Sequence, residues 1–213
     1  MIILLGIITG CAPVYVPNTL NVPLLGEKGQ ANVAATAGVS GVDLQGAYAF
    51  AKQMAGMFNL SYMAKDKDNY NNHFFLEGGI GYFLKMGKSG RFDCYAGYGW
   101  GRAEATTNND TLHPRSDYHR FFIQPSIGIV TNYFDGAFSL RVAYVNFYNT
   151  LHFSGQSKVF LEPVLTGKFG SKSLRFICQF GLSLPMSKII ELEDSFEPII
   201  LNLGLQYSLR KNH

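Results

Sequence analysis

HFFLEGGIGYFLKMGKSGRFDCYAGYGWGRA, residues 73–103, alternates with period two on either side of a tight Met-Gly-Lys-Ser-Gly connection. In the first half Phe74, Leu76, Ile80, Tyr82 and Leu84 share one face of a strand, and Phe75, Glu77, Gly79, Gly81 and Phe83 share the other. In the second half Phe92, Cys94, Ala96, Tyr98 and Trp100 alternate with Asp93, Tyr95, Gly97, Gly99 and Gly101. One face is apolar and aromatic throughout. The other holds the carboxylates of Glu77 and Asp93 among glycines, which a water-soluble sandwich core accepts only with partners. A soluble antiparallel sheet would also turn a face rich in Lys, Glu and Thr to water, and no such face exists here. The pattern predicts an all-β fold, an antiparallel up-and-down transmembrane β-barrel with lipid outside and a polar lumen inside.

Working outward, 213 residues make one domain, or one domain with a leader. Charged residues are 15% of the chain, below the usual share of about 25%. The net charge of +3 is too small and too dispersed for a nucleic-acid surface. No run reaches the roughly 18 to 20 apolar residues of a spanning helix, so a membrane crossing must use strands.

Residues 1–10, MIILLGIITG, are almost wholly apolar and end in Ile-Thr-Gly before Cys11. This resembles the lipobox of a bacterial lipoprotein, which implies a signal segment over 1–10 and lipidation of Cys11. Residues 11–30 carry Pro13, Pro17 and Pro23 without a clean period and read as an extended periplasmic tether, with the barrel occupying 31–213. The wording CAPVYVPNTLNVPLL, with the glycine-aromatic hairpin at 73–103, resembles small outer-membrane barrel lipoproteins of Bacteroidota. That resemblance implies a location rather than a chemistry. Surface-displayed members of the group carry an acidic or Lys-acidic signal after the cysteine; Ala12-Pro13-Val14 lacks it, which favours the periplasmic side for the lipid.

Ten strands are predicted, near 31–38, 42–51, 54–64, 73–85, 91–103, 119–132, 137–147, 158–168, 173–184 and 198–210, or eight if the first hairpin is a lid. Joints at 52–53, 86–90, 133–136 and 169–172 are short. Those at 65–72, 104–118, 148–157 and 185–197 are long, as expected for periplasmic turns facing external loops. An even count returns both ends to the periplasm. A two-residue turn at Asp135-Gly136 pairs Tyr133 with Phe138 and Ile129 with Val142, and a four-residue turn at 169–172 closes the next hairpin. Inner faces then collect Gln124, Arg141, Glu162, Arg175, Gln179, Asn202 and Gln206. Arg141, Glu162 and Arg175 are expected as an inward ladder, and with Glu77 and Asp93 as the lumen charge network of a barrel filled by its own side chains. Tyr82, Phe83, Phe92, Trp100, Tyr118, Tyr133, Phe134 and Tyr148 are candidates for interfacial girdles.

Candidate chemistry is sparse. His113, His119 and His152 fall in or beside long loops, with Ser116, Asp117, Ser154, Glu193 and Asp194 as potential partners, yet no spacing matches a nucleophile-base signature, and no catalytic residue is assigned. The run Lys65 to Asn69 lacks the glycine and terminal Glu of a calcium loop, and no metal or cofactor is expected. Glycines in Gly-Gly-Ile-Gly recur at strand period, so a phosphate loop is excluded. Cys94 and Cys178 fall on lipid-facing positions of non-adjacent strands and should be free thiols. Asp110-Thr111-Leu112 resembles the motif at which Bacteroidota O-glycosylate exported proteins, which makes Thr111 a candidate glycosylation site.

The leading expectation is a non-catalytic, lipid-anchored outer-membrane barrel with both termini periplasmic. It would act as a structural, accessory or surface-interaction protein through its external loops. Its partners would be outer-membrane lipid and lipopolysaccharide, with a larger envelope complex as a further candidate, and no nucleic acid. A narrow pore for small or lipophilic ligands is the alternative, supported by the inward glycines at 79, 81, 97, 99, 101 and 181. A periplasmic lipocalin-like lipoprotein is the other; its faces would be swapped, with Leu140, Val142, Leu161, Leu165, Phe176 and Phe180 lining a cavity.

Overall fold

A computed structural model describes residues 15–64, 71–105, 115–148, 157–186 and 198–209. The described strands are β1 (Ala31–Gly38), β2 (Gly41–Tyr48), β3 (Met54–Met63), β4 (Asn71–Met86), β5 (Gly90–Ala105), β6 (Arg115–Val130), β7 (Phe134–Tyr148), β8 (Ser157–Gly170), β9 (Leu174–Leu182), the two-residue β10 (Leu184–Pro185) and β11 (Ile199–Leu209). Each long strand pairs antiparallel with the next, β9 with β11, and β11 with β1, giving a closed ten-strand up-and-down barrel. β10 continues β9 along β8 after a break where Pro163, which has no N–H to give, sits in the ladder. The first hairpin is part of the wall and not a lid, since β1 pairs on both sides.

The ends differ. Breaks at 49–53, 87–89, 131–133 and 171–173 crowd one mouth; apart from the tight 39–40 turn, the other mouth carries 64–70, 106–114, 149–156 and 186–198. Strands β4 to β6 have 16 residues each against 8 in β1 and β2. Against β3, β4 runs four residues past Met54 at the short-turn mouth and two past Met63 at the long-loop mouth, so this side of the wall is taller and is raised at the long-loop mouth.

Apolar side chains point out and polar ones in. Ile80 is 62% exposed, Leu165 59% and Phe180 54%, whereas Arg141, Glu162 and Gln124 are fully buried. This overturns the lipocalin-like alternative, whose cavity required Leu165, Phe176 and Phe180 inside. All seven residues expected on the inner face are there. Two turns, however, are displaced. The β6–β7 hairpin closes with Thr131 bonded to Phe134, so Ile129 faces Gly136 and Ile127 faces Phe138. The β8–β9 hairpin closes with Ser171 bonded to Leu174. Both shifts are by an even sum, so every side chain keeps its face. Asp135 thereby points inward, where it pairs with Arg175 at 2.7 Å and accepts the Thr131 N–H at 3.2 Å. Phe83 and Tyr118 also leave the girdle set, because both are buried inside.

The largest departure concerns 15–30. Instead of a tether outside the barrel, it is a plug within it. Tyr15 to Leu25 are all buried. Tyr15 lies beside Tyr118 and Phe160 near the long-loop mouth, Thr19 and Leu20 lie mid-lumen beside Thr36 and Gln179, and Leu25 packs with Phe83 and Ala55 near the short-turn mouth. The chain then turns through Gly26 to Gln30, where Gly29 has φ 85° and donates to the Ala49 carbonyl at 2.8 Å, and runs into β1. An eight-stranded barrel can be filled by side chains alone; ten strands enclose a wider interior, and one extended segment occupies the difference.

Candidate functional site

A peptide inside a barrel must have its backbone polar groups satisfied, since neither a ladder nor bulk water is at hand. Six consecutive plug carbonyls each accept from a wall side chain: Asn18 from Arg141 (3.2 Å), Thr19 from Gln45 (2.9 Å), Leu20 from Gln179 (2.8 Å), Asn21 from Gln124 (2.8 Å), Val22 from Lys168 (2.5 Å) and Pro23 from Asn32 (2.7 Å). The donors come from six strands, β7, β2, β9, β6, β8 and β1. At a net worth of about 1 kcal/mol each, the set contributes on the order of 6 kcal/mol, comparable with the whole stability of many domains. Gln179 also accepts from the Leu20 N–H at 3.2 Å, so its amide imitates a strand neighbour. Pro17 and Pro23 remove two backbone donors that a wall offering mainly donors could not satisfy.

Two buried ion pairs grip the plug. Arg120 donates through Nε to Glu77 at 2.9 Å, and Arg141 pairs directly with Glu162 across β7 and β8. Asn18 bridges them, its Oδ1 accepting from Arg120 at 2.7 Å and from Arg141 at 3.0 Å. The Tyr15 hydroxyl accepts from Arg120 at 3.0 Å and donates to Glu162 at 2.9 Å. Asn59 extends the network, donating to Glu77 at 2.7 Å and accepting from Asn21 at 2.9 Å. Two guanidinium groups thus meet two carboxylates with no net charge. Above this belt Tyr15 stacks on Phe160 at 4.5 Å and meets Tyr118 edge-on, inside a collar completed by Phe75, Phe147 and His73.

The expected ladder of Arg141, Glu162 and Arg175 is only half present. Arg175 lies one residue past the β8–β9 turn opposite Gly170, whereas Glu162 lies midway along β8, where Tyr15 and Ser183, the latter at 3.1 Å, donate to it beside Arg141. Asp93 likewise stands apart, accepting the Leu24 N–H at 3.3 Å where Leu24 adopts φ 49°. The five expected lumen residues therefore all point inward but divide into separate groups. Arg120, Asn18 and Tyr15, which tie the network together, were not anticipated; Arg120 was legible, since it shares the parity of Gln124.

The inward glycines do not hold a channel open. A Cβ on Gly81 would lie 2.4 Å from the Tyr95 ring, on Gly97 2.5 Å from Phe122, on Gly99 2.4 Å from Phe75 and on Gly101 2.4 Å from Tyr118. Each is a seat for an aromatic ring on the neighbouring strand. With the plug in place, residues 15–25 run through the lumen that the narrow pore weighed from sequence would need.

On the outside of the raised wall, His119 stacks on Tyr148 at 4.5 Å and bonds the Tyr98 hydroxyl. Trp100 donates to the Tyr148 hydroxyl at 2.6 Å, and Arg102 lies 5.3 Å over the indole. Asp117 binds Arg102 at 2.7 Å and Arg115 at 3.2 Å. Ser116 points inward and His119 outward, so β6 holds these two candidate partners on opposite faces, and Asp117 is engaged by arginines. Cys94 and Cys178 are free thiols on the outer face. Among the described residues no cluster of His, Cys, Asp and Glu could hold a metal ion. Cys11, Thr111, His113, His152, Ser154, Glu193, Asp194 and the 65–69 run lie outside the described residues. In comparison with known proteins, no family model matches the chain, and no curated protein matches it.

Proposed function

We propose that the chain is a sealed, non-catalytic outer-membrane barrel that serves a structural, accessory or surface-interaction role through its long-loop face. The observation that carries this reading is the pairing of an apolar exterior with a lumen filled by the chain's own N-terminal segment. Such an exterior needs a hydrocarbon solvent, and such an interior passes no solute. The short turns and the C-terminal end of β11 face the periplasm in this reading, and the long loops face outward among outer-membrane lipid and lipopolysaccharide. The raised wall, with Trp100, Tyr98, His119, Tyr148 and the Arg102-Asp117-Arg115 cluster, stands at the outer interface, where amphipathic aromatics and paired charges are at home. The lipobox-like stretch before Cys11 and the resemblance to Bacteroidota barrel lipoproteins support an envelope location. The test joins two measurements on the full chain. It should remain in the outer membrane through carbonate washing and migrate faster unboiled than boiled, and the purified barrel should give no conductance steps in planar bilayers. Release by carbonate would refute the membrane reading, and steady conductance would refute the seal.

A further inference from the structure

We infer that a trough across the outer face of β6 to β9, entered beside the β4–β5 turn, holds one acyl chain of an anionic glycerophospholipid whose phosphate meets Lys88 and Lys85. The choice of a membrane lipid rests on the membrane reading above; the trough itself does not.

The trough follows from register. Gly90, Ile129, Gly136, Gly167 and Cys178 are successive partners on β5, β6, β7, β8 and β9, and parity turns all five outward. Across β7 to β9 that row is glycine, glycine and cysteine. The row on its rim side is Phe134, Phe169 and Phe176, and the row on its other side is Phe138, Leu165 and Phe180. Two ridges of large side chains thus flank a floor close to bare backbone. The Phe134 and Phe169 rings, 5.0 Å apart, lean over it: a Cβ on Gly136 would lie 3.1 Å from the first and one on Gly167 3.2 Å from the second. They narrow the trough without filling it, since a hollow of about 700 Å³ remains, walled by Ile127, Phe138, Leu165, Phe169 and Phe180. That volume falls within the range of about 300–1,000 Å³ typical of small-ligand sites.

Its course suits a chain that enters from the membrane surface. Counted from the short turns, Gly90 is the first residue of β5, Ile129 lies one residue inside β6, Gly136 two inside β7, Gly167 three inside β8 and Cys178 four inside β9. The floor therefore leaves the rim at the β4–β5 turn and sinks with each strand, as the stagger of a closed barrel requires. Four inter-strand steps of about 4.8 Å make it about 19 Å long. One leaflet's half of the hydrocarbon core is about 15 Å thick, so a single acyl chain laid obliquely fits this length.

Charge decides which lipid. Met86 and Gly90 line the upper end of the hollow, and Lys88 stands in the turn between them, with Lys85 one residue before Met86. Among the described residues, the exposed charges of the short-turn mouth are Lys28, Lys52, Lys85, Lys88 and Lys172 against Glu27 alone. At the long-loop mouth the signs mix, with Arg102 and Arg115 beside Glu104 and Asp117. A basic rim attracts anionic headgroups, each nearby lysine strengthening binding about fivefold. At the β4–β5 turn that rim meets the open end of the apolar trough.

The test titrates the full chain in micelles with phosphatidylglycerol, or with phosphatidylcholine of the same acyl chains, and counts retained lipid by native mass spectrometry. One phosphatidylglycerol should be held at least about tenfold more tightly than phosphatidylcholine. Lys85→Gln with Lys88→Gln should erase that preference and leave phosphatidylcholine unchanged. Cys178→Phe, which fills the deep end of the floor, should weaken both lipids at least about tenfold, as if about two methylenes were returned to solvent. It adds an apolar ring to a face that already carries many, and an unchanged difference between boiled and unboiled mobility checks that the barrel is intact. Lys28→Gln with Lys52→Gln, on the rim beside β1 to β3, should change neither lipid. Equal retention of the two lipids would overturn the inference, as would binding that Cys178→Phe leaves unchanged or a preference lost equally with Lys28 and Lys52. A dimer that Cys178→Phe dissolves would also overturn it, since a second copy would then cover the trough. A chain that survives carbonate washing yet shows no lipid preference defeats the trough alone; release by the wash defeats the membrane reading and the inference with it.

Discussion

Replacing Arg120 by methionine removes one member of a fully buried pair while keeping most of the side-chain volume. Glu77, itself 1% exposed, loses the Nε bond at 2.9 Å and a second guanidinium contact, and keeps only Asn59 at 2.7 Å. A carboxylate left buried without its counter-charge costs about 3–5 kcal/mol. The guanidinium also lies 4.1 Å over the Phe75 ring and donates to Asn18 and Tyr15, so the upper part of that range is expected. Adding Glu77→Leu removes the orphaned charge. The double variant should then recover to within about 2 kcal/mol of the parent, since apolar replacements of buried pairs are frequently close to neutral. The readout is urea unfolding in micelles, followed by emission of Trp100, the single tryptophan, and by the difference in mobility of boiled and unboiled samples. A coupling of at least about 2 kcal/mol between the two positions is expected. If Arg120→Met costs under about 1 kcal/mol, the value of a solvated surface pair, the lumen is wet and the plug is not seated as described.

Three further outcomes follow from the same geometry. Gln179→Leu strips both backbone partners from Leu20 and should lower unfolding stability by about 2–3 kcal/mol in the same assay, each orphaned group costing about 1 kcal/mol or more. Gly99→Ala places a Cβ 2.4 Å from the Phe75 ring and should cost about 1–3 kcal/mol, read as a lowered melting temperature, whereas Gly46→Ala, with nothing within 4 Å, should stay within about 0.5 kcal/mol of the parent. In lipid vesicles Ile80→Arg, outward on the middle of β4, should cost about 2–4 kcal/mol, and Tyr133→Arg, at a turn, about 0–1 kcal/mol.

The alternation at 73–103 made the wall legible, because a strand with an apolar outer face and a polar inner one sorts its side chains with period two, and a one-residue error would invert them all. Parity therefore survived even where the turn did not: the Asp135-Gly136 pair looks like a hairpin turn, yet the Thr131 hydroxyl closes the loop by accepting the Phe134 N–H and donating to the Phe134 carbonyl, and Asp135 turns inward to Arg175. The plug was hidden for the opposite reason. Tyr15 to Leu25 are buried on all sides, so no period marks them, and Pro17 and Pro23 mimic a loose linker. Their meaning appears only beside the donors of Gln45, Gln124, Lys168 and Gln179, which face inward from strands distant in sequence. Arg175 was misplaced in the ladder because inward parity says which face a charge occupies, not how deep it lies.

The central claim, that this wall meets lipid outside and its own chain inside, is tested most directly by nitroxide labels at positions 80, 127 and 165 of a Cys11→Ser, Cys94→Ser, Cys178→Ser chain in lipid vesicles, read by power saturation. All three positions should collide freely with oxygen and hardly at all with a water-soluble nickel complex, in contrast to a label at Lys88 in the β4–β5 turn. Collision with the nickel complex at all three, to the extent seen at Lys88, would mean that the apolar face meets water, and the account would be wrong.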